Sequence, residues 1–260
     1  MITISSDFGS PYPAAMKGVI ATRVEARLID IANDFPRHDI RTTAFWLREI
    51  LPYFPPAVHL VVVDPGVGTD RDALAIRAGE HALVGPDNGV LWSAATRLAD
   101  DDPEAFVIDR TLPASAPATF HGRDIFAPAA ADIHAHGIAE MAGMADLRPT
   151  SDIEKLTFPT ADIEDSTAKG TILAVDGFGN AITNIPGPFL RPHFGDAVTV
   201  DGSRYPAAAS YAAVAPGEAV VTVGSHGNVE LAVNRGDGAA VFGVWAGDPV
   251  TVTVPAQPQD

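Results

Sequence analysis

The strand-like run VHLVVV at positions 58–63 constrains the fold more than any other segment of this chain. It is apolar on both alternating faces, as expected of a central strand that is covered on both sides. The run ends at Asp64 in the turn DPGVG, whose two glycines let a ligand approach the backbone closely. Such a strand predicts a layered α/β domain with a ligand crevice at its carboxyl end.

Strand-like and helix-like segments alternate from the start of the chain to about residue 145. Asp39 is a candidate N-cap for the clearest helix. The apolar face that follows it recurs at spacings of four and three and consists of Ile40, Ala44, Leu47, Leu51 and Phe54. We therefore expect an α/β N-terminal domain over residues 1–147, with a central, mostly parallel sheet.

The composition changes at residues 148–169, a polar segment with two prolines and no sustained period, which we interpret as a linker. Beyond it the helical pattern disappears, and β-rich segments alternate with glycine-containing turns. These features predict a smaller all-β C-terminal domain over residues 170–260, an antiparallel sandwich or barrel.

The net charge of −16, with only three lysines, argues against a nucleic-acid partner. This acidity fits a protein adapted to high salt or an ordinary acidic protein equally well. No apolar run approaches the roughly 20 residues that span a bilayer. The N-terminus lacks the pattern of a secretory signal, so we expect a cytoplasmic protein without membrane contact.

The sequence contains no cysteine, which excludes disulfides, Cys-ligated zinc, iron–sulfur clusters and thiol catalysis. His134 and His136 are two residues apart and would lie on different faces of a helix, a poor arrangement for a metal. No phosphate-binding or dinucleotide fingerprint occurs. We therefore expect neither a metal nor a cofactor.

Asp7 and Asp64 each follow a strand-like segment, so both carboxylates are expected at the carboxyl edge of the sheet. Asp64 could instead cap a helix or form a turn beside Pro65, and Arg71 could be a surface charge. His121, in TFHGRDIFAP, is expected on a loop that leads into a helix with Asp124 as N-cap. A purely structural histidine is the alternative.

DGFGN, residues 176–180, resembles a hairpin turn, and Phe178 and Asn180 could stack on and hydrogen-bond a purine. In GPDNGVL, residues 85–91, structural roles suffice for Asp87 and Asn88.

Six ordered motifs together carry a resemblance to a known family. SSDFG, MKGVI, VVVDPGVGTDR, GPDNGVL, TFHGRDIFAP and DGFGNAITNI resemble the S-adenosylmethionine hydrolases, also called SAM hydroxide adenosyltransferases, which are related to fluorinating and chlorinating adenosyl enzymes. The match spans nearly the whole chain.

The resemblance implies an α/β domain followed by a barrel-like domain, in homotrimers whose active sites lie between the N-terminal domain of one subunit and the C-terminal domain of the next. It also implies hydrolysis of S-adenosylmethionine to adenosine and methionine without a cofactor. The implied residues for water activation are Asp64, Arg71 and His121. The implied substrate-binding residues are Asp7 at the ribose, Phe178 and Asn180 at the adenine, and Asp176, Ser225 and His226 at the methionine end.

Two features bear on the alternatives. The halogenating relatives lack the acid–arginine–histidine set, so hydrolysis is favoured over transfer of the adenosyl group to a halide or another small nucleophile. The loop GSPYPAA, residues 9–15, is shorter than in the family and has no acid for the methionine amino group. Tyr12 or a residue of the second domain could compensate; otherwise the chain would be a non-catalytic adenosine or S-adenosylmethionine binder.

Overall fold

The structure is a computed structural model that describes residues 1–9, 11–69, 71–110 and 120–256. Ser10 of the short loop and Thr119 of TFHGRDIFAP lie outside the described residues. The chain divides into two compact units, Met1–Thr157 and Phe158–Asp260. This division falls inside the segment 148–169, which also contains one strand and the ends of two others. The domain limits of 1–147 and 170–260 stay a prediction.

The first unit combines strands and helices. Its strands are β1 (Ile2–Ser6), β2 (Leu28–Ala32), β3 (Val58–Val62), β4 (Ala73–Ala78), β5 (His81–Pro86), β6 (Glu104–Ile108) and β7 (Leu147–Thr150). Its α-helices are α1 (Tyr12–Ala21), α2 (Ile40–Ile50), α3 (Trp92–Leu98) and α4 (Ala127–His136). Its other helical turns are the 3-10 turns Leu51–Tyr53 and Ile138–Gly143 and the π-helical turn Gly122–Phe126.

The seven strands form one sheet in the order β2-β1-β3-β5-β4-β6-β7. The pairs β2-β1, β1-β3 and β3-β5 are parallel, whereas the pairs β5-β4, β4-β6 and β6-β7 are antiparallel. The prediction of a mostly parallel sheet is therefore wrong for half of it. The reason is local, because β4 and β5 form a hairpin whose two-residue turn has Gly79 at a φ of 59°.

Strand β3 lies in the parallel half and is buried along its whole length. Residues on one of its faces join a hydrophobic cluster with β1, α1 and α4 that includes Ile4, Met16, Ile20, Val58, Leu60, Val62, Ala130 and Ile133. Because side chains alternate along a strand, His59 points to the opposite face. Both faces of β3 are covered, as the apolar run predicts.

The starts of two helices test the sequence analysis. Asp39 caps α2 by accepting a hydrogen bond from the Thr42 amide at 2.9 Å, which confirms the predicted N-cap. The prediction that Asp124 caps a helix is wrong. Asp124 lies within the π-helical turn that continues into α4, and its carboxylate accepts hydrogen bonds from Nε and Nη2 of Arg123 instead.

The second unit is mostly β. Its strands are β8 (Asp162–Glu164), β9 (Thr167–Val175), β10 (Ala181–Pro186), β11 (Ala197–Val200), β12 (Ser203–Pro206), β13 (Ala219–Val223), β14 (Asn228–Val233) and β15 (Pro249–Thr253). Its α-helices are α5 (Gly187–Leu190) and α6 (Gly238–Phe242), and its 3-10 turns are Arg191–His193 and Tyr211–Ala213.

These strands run antiparallel in the order β12-β11-β15-β9-β10-β14-β13, with β8 paired to β9. A single bridge between Ala207 and Val221 links the chain after β12 to β13. The sheet is thus a nearly closed barrel around a hydrophobic core, as predicted. No helix in the described part of the chain is long and apolar enough to cross a membrane.

A buried histidine chain crosses the first sheet. The ring of His59 is hydrogen-bonded to Oγ1 of Thr3 at 2.8 Å and to Nδ1 of His81 at 3.0 Å. Burial, and secondarily the neighbouring His81, lower the pKa of His59 to about 3 from an ordinary value of 6.5. The folded protein therefore keeps His59 neutral in mildly acidic solution, whereas the unfolded chain takes up a proton there.

We expect this difference to destabilise the fold as the pH falls from 6.5 towards 3, by up to about 1.4 kcal/mol per pH unit. Replacing His59 with Asn should make the free energy of unfolding less dependent on pH in this window. Urea denaturation between pH 7 and 4 measures both slopes. The exposed His136→Asn variant is the control and should keep the wild-type slope. Equal slopes for His59→Asn and the wild type would contradict the assignment.

Candidate active site

Two carboxylates lie at the same edge of the first sheet. β1 and β3 are parallel neighbours with Ser6 paired to Val62, so Asp7 and Asp64 both follow the carboxyl ends of adjacent strands. Both residues are largely buried, with 7% of each exposed. The parallel pairing of β1 with β3 therefore places both acids at the carboxyl edge of the sheet, as the sequence predicts.

Asp64 is held by the turn that follows it. Its Oδ1 accepts a hydrogen bond from the Gly66 amide at 3.0 Å and forms an ion pair with Nη2 of Arg71. A methyl group at position 66 would overlap the guanidinium of Arg71. Gly66 thus makes room for the arginine of the ion pair, a role that the sequence analysis gave to an approaching ligand.

The ion pair leaves polar atoms without partners. Among the described residues, Oδ2 of Asp64 and Nε of Arg71 are buried and have no hydrogen-bond partner. A buried polar group without a partner costs about 1 to 3 kcal/mol, so such atoms are uncommon outside functional sites. The side chain of Asp64 is 1% exposed, so its second oxygen lies away from bulk solvent.

His121 stands immediately before the π-helical turn, a type of turn that is frequent at functional sites. Gly122 anchors this start, because a Cβ there would come within 2.9 Å of Sδ of Met16 and 3.3 Å of Val62. Burial and then the charge of Arg71 lower the pKa of His121, while Asp124 acts in the opposite direction. The imidazole is therefore neutral near pH 7 and able to accept a proton.

Asp87 is a member of this site that the sequence analysis interpreted as structural. Its charge acts on Arg71, and its carboxylate accepts a hydrogen bond from the Glu154 amide at 2.8 Å. Burial raises the pKa of Asp87, whereas Arg71 lowers it. Asn88 donates to the carbonyl of Val63 at 2.9 Å and so ties this turn to the end of β3. The sequence signal for Asp87 was its place directly after the strand-like segment that ends at Pro86.

His38 is a second residue that the sequence analysis missed. Its amide donates to Oδ2 of Asp7 at 2.7 Å, and its φ of 63° is uncommon for a residue with a side chain. No sequence signal marks this contact, because His38 lies outside the six motifs. The strained backbone indicates that the position of Asp7 is tightly constrained.

Three aromatic rings form a cluster beside Asp7 and His121. Phe8, Tyr12 and Phe120 contact one another edge-to-face, with ring centroids 5.5 to 6.0 Å apart. Phe8 follows Asp7 and Phe120 precedes His121 in the chain, and 57% of Tyr12 is exposed. The short loop after Asp7 therefore brings an aromatic cluster beside Asp7 and His121.

In the second unit, DGFGN forms the turn between β9 and β10, as predicted. Oδ1 of Asp176 accepts hydrogen bonds from the amides of Phe178 and Asn180, both at 2.9 Å, and Oδ2 accepts from the Asn180 side chain at 3.0 Å. Asp176 thus organises the turn that carries the other two residues. Asn180 is buried, whereas 85% of Phe178 is exposed, which leaves an aromatic face for stacking.

Ser225 and His226 lie in the loop between β13 and β14. Ser225 is exposed and His226 is partly buried, with its Nε2 3.4 Å from Oε1 of Glu230. β10 and β14 are antiparallel, with Ala181 paired to Leu231 and Pro186 to Asn228. The turn 176–180 precedes the paired residue Ala181 and the loop 224–227 precedes the paired residue Asn228, and Leu231 and Asn228 are three residues apart on β14.

The set in the first unit combines a carboxylate fixed by an arginine with a neutral imidazole. Such groups can hold a water molecule and remove its proton. No group of three or more His, Asp or Glu side chains that could hold a metal ion occurs in the described ranges.

Comparison with protein families places these motifs in a known context. The sequence model of the SAM hydroxide adenosyltransferase N-terminal domain matches residues 2–143, and that of the C-terminal domain matches residues 170–251. A relative named (R)-S-adenosyl-L-methionine hydrolase from Salinispora tropica is 40% identical over 97% of both chains. One of the same name from Thermus thermophilus is 42% identical over 94% of this chain and 96% of the relative.

Solved structures show the same fold. The crystal structure of an uncharacterised conserved protein from Thermotoga maritima has a TM-score of 0.83 at 34% identity and covers 97% of this chain and 100% of its own. That of a conserved hypothetical protein from Thermus thermophilus has a TM-score of 0.76 at 38% identity, over 96% of this chain and 98% of its own.

We expect the pKa of His121 to report on its charged neighbours. Replacing Arg71 with Gln should raise the pKa of His121, because a nearby positive charge disfavours the imidazolium. Asp124→Asn should lower it further, and this variant with the opposite sign is the matched control. An NMR titration of the imidazole carbon-bound protons, assigned with His121→Gln, measures both shifts. Shifts in the same direction would contradict the arrangement.

Proposed function

Since the chain belongs to the SAM hydroxide adenosyltransferase family, we propose that a water molecule held at Asp64, Arg71 and His121 attacks C5′ of S-adenosyl-L-methionine. The protein is an enzyme that hydrolyses S-adenosyl-L-methionine. The observation that carries the proposed site is the buried, unpartnered Oδ2 of Asp64 beside a neutral imidazole. A buried carboxylate oxygen of this kind is suited to accept a hydrogen bond from water.

The chemistry requires little of the leaving group. The positively charged sulfur makes C5′ electrophilic and departs as a neutral thioether, so no acid is needed to protonate it. The new bond joins the water oxygen to C5′ as the bond from C5′ to sulfur breaks, giving adenosine, methionine and one proton. Water is the weak nucleophile, and it must be aligned behind C5′ and lose its proton.

The three residues divide this task. Oδ2 of Asp64 orients the water molecule, while Arg71 holds the carboxylate through Oδ1. His121 accepts the proton, because burial and the charge of Arg71 lower its pKa and keep it neutral. Asp64 holds the water molecule instead, because its Oδ1 is already engaged by Arg71 and the Gly66 amide.

The substrate is bound by residues of both units. Asp7 accepts hydrogen bonds from the ribose hydroxyl groups. Phe178 stacks on the adenine and Asn180 hydrogen-bonds it. Asp176, Ser225 and His226 bind the methionine end, and the carboxylate of Asp176 also fixes the turn that carries Phe178 and Asn180. The placement of Asp176 and His226 at one end of the substrate is supported by Glu230, which lies beside His226 and whose pKa is raised by burial and also by Asp176.

The sulfonium of the substrate is a stereocentre. The names of the curated relatives specify the (R) configuration at this centre. We propose the same preference for this chain, since a water molecule fixed by protein groups accepts only one position of C5′ and its leaving group.

The proposed assembly is a homotrimer in which the active site joins the N-terminal domain of one subunit to the C-terminal domain of the next. Large aromatic residues support it. Phe178 and Tyr12 are mostly exposed in the single chain, and exposed aromatic surface of this kind marks sites that are covered by a ligand or another subunit.

We expect the reaction in ¹⁸O-labelled water to place the label in the 5′-hydroxyl of adenosine. Mass spectrometry of adenosine formed from the (R) and (S) epimers of S-adenosylmethionine measures both the label and the stereochemical preference. Unlabelled product, or 5′-chloroadenosine in a chloride buffer, would contradict hydrolysis.

The His121→Ala variant separates catalysis from binding. It should lose turnover by at least about a hundredfold while retaining the substrate affinity, because a positioned base contributes about this much. The exposed His136→Ala variant should remain fully active. Tight binding without turnover in the wild type would instead indicate a non-catalytic binder.

We expect two inactive variants to restore activity when their defects lie in different units. If His121→Ala and Asn180→Ala subunits are co-expressed with different tags, random assembly gives roughly a quarter of sites with both parts intact. The adenosine formation rate of the purified mixed oligomer measures this restoration. Pairing His121→Ala with Asp64→Asn, both in the first unit, is the control without restoration. Equal inactivity of both mixtures would contradict shared sites.

A further inference from the structure

Glu230 is a buried acid that the water-activating and substrate-binding roles leave unassigned. It lies in β14, and only 2% of it is exposed. Its neighbours Val229 and Leu231 belong to the core of the barrel. Because side chains alternate along a strand, the carboxylate points to the outer face of the barrel, where charged groups ordinarily meet water.

Three residues from two elements, the 3-10 turn Tyr211–Ala213 and the loop 224–227, enclose this carboxylate. The hydroxyl of Tyr211 donates a hydrogen bond to Oε2 at 2.6 Å, and Nε2 of His226 lies 3.4 Å from Oε1. On the third side, a methyl group at Gly224 would overlap the carboxylate. Gly224 and His226 therefore both lie against the carboxylate of Glu230. The loop 224–227, which also carries Ser225, is packed onto this carboxylate.

The surroundings of Glu230 shift the pKa of its carboxyl group in opposite directions. Burial raises the pKa of the Glu230 carboxyl, and Asp176 raises it too, whereas the bond from Tyr211 and the neighbouring His226 lower it. Burial, then the bond to Glu230 and the charges of Glu230 and Asp176, raise the pKa of Tyr211, so its hydroxyl keeps its proton and remains a donor. The groups that face Glu230 are therefore the Tyr211 hydroxyl, the His226 ring and the Asp176 carboxylate.

We propose that Glu230 is a positioning residue for the amino-acid end of the substrate: it holds His226 and the loop 224–227 so that His226 binds the substrate carboxylate. The inference rests on the proposed binding of methionine by Ser225 and His226. Glu230 is too buried to contact the substrate, so it acts through His226. A carboxylate 3.4 Å from one ring nitrogen orients the imidazole, and an oriented ring presents its other nitrogen in one place.

The role predicts a change in substrate selection rather than in chemistry. Glu230→Gln keeps the shape and the hydrogen bond from Tyr211 but loses the charge. The KM for S-adenosylmethionine should rise about tenfold with kcat within about twofold, since C5′ and the water remain in place. Decarboxylated S-adenosylmethionine has no carboxylate to lose contact with, and its KM should change less than about twofold. Steady-state assays with both substrates measure the ratio.

Equal losses with both substrates, or a fall in kcat alone, would overturn the proposal, because a general structural defect does not distinguish the two. A second substitution sharpens the test. His226→Arg in the Glu230→Gln background should restore the KM for S-adenosylmethionine, since a guanidinium offers several donors to a carboxylate and depends less on being oriented by Glu230. Failure of this rescue, with the double variant folded, would also count against the proposal.

Two further variants keep the test independent of folding defects. Tyr211→Phe removes only the hydroxyl that donates to Glu230, at a residue that is 39% exposed, and should raise the KM for S-adenosylmethionine about threefold without affecting the decarboxylated substrate. The absence of any effect would contradict the proposal if Glu230→Gln fails to fold. Glu218→Gln, an acid elsewhere in the same unit, is the control and should leave both KM values unchanged.

The outcome separates this proposal from the proposed function. If the wild type does not turn over S-adenosylmethionine, hydrolysis fails. Calorimetric Kd values for S-adenosylmethionine and its decarboxylated form then test Glu230 alone. A tenfold weaker Kd only for the carboxylated ligand in Glu230→Gln would support the positioning role, and equal Kd changes would refute it.

Discussion

The ion pair between Asp64 and Arg71 is the interaction on which the first unit's site depends. It places two charges where 1% of the aspartate side chain and 19% of the arginine side chain are exposed. Removing either partner would leave an uncompensated buried charge, which is strongly destabilising. The surrounding structure is adapted to it: Gly66 has no side chain where the guanidinium lies, Asp87 adds a second negative charge, and strand β3 holds the aspartate at the edge of the sheet.

In the second unit, two carboxylates are held mainly by hydrogen bonds rather than by an ion pair with an arginine. Asp176 accepts three bonds from a five-residue turn and so presents Phe178 to solvent in a fixed position. Glu230 fixes the loop 224–227 through Tyr211 and His226. Each carboxylate orders a short glycine-containing loop, and a loop that is ordered before binding loses less entropy when the ligand arrives.

Much of this architecture could be predicted from local pattern. The apolar run at 58–63 predicts a covered central strand, Asp39 predicts the start of α2, and DGFGN predicts a hairpin; all three are observed. The errors have physical causes. The antiparallel half of the sheet follows from a two-residue turn at Gly79 that lies between two segments with no mark of direction. Asp124 is a residue type that favours the N-cap position, yet the π-helical turn begins two residues earlier, at Gly122, and the carboxylate of Asp124 accepts hydrogen bonds from Arg123.

The sequence by itself determined the family, the order of α/β and β segments, and which residue types are available for chemistry, because these depend on short-range pattern and motif spacing. Only the tertiary structure decided which of those residues meet. Asp87 reaches Arg71 because β4 and β5 pair antiparallel with Ala73 opposite Pro86, which brings the residues before β4 beside those after β5. Glu230 becomes buried because Tyr211, nineteen residues earlier, folds over the outer face of its strand. Contacts between distant segments follow from strand order and packing, which no local window of sequence contains.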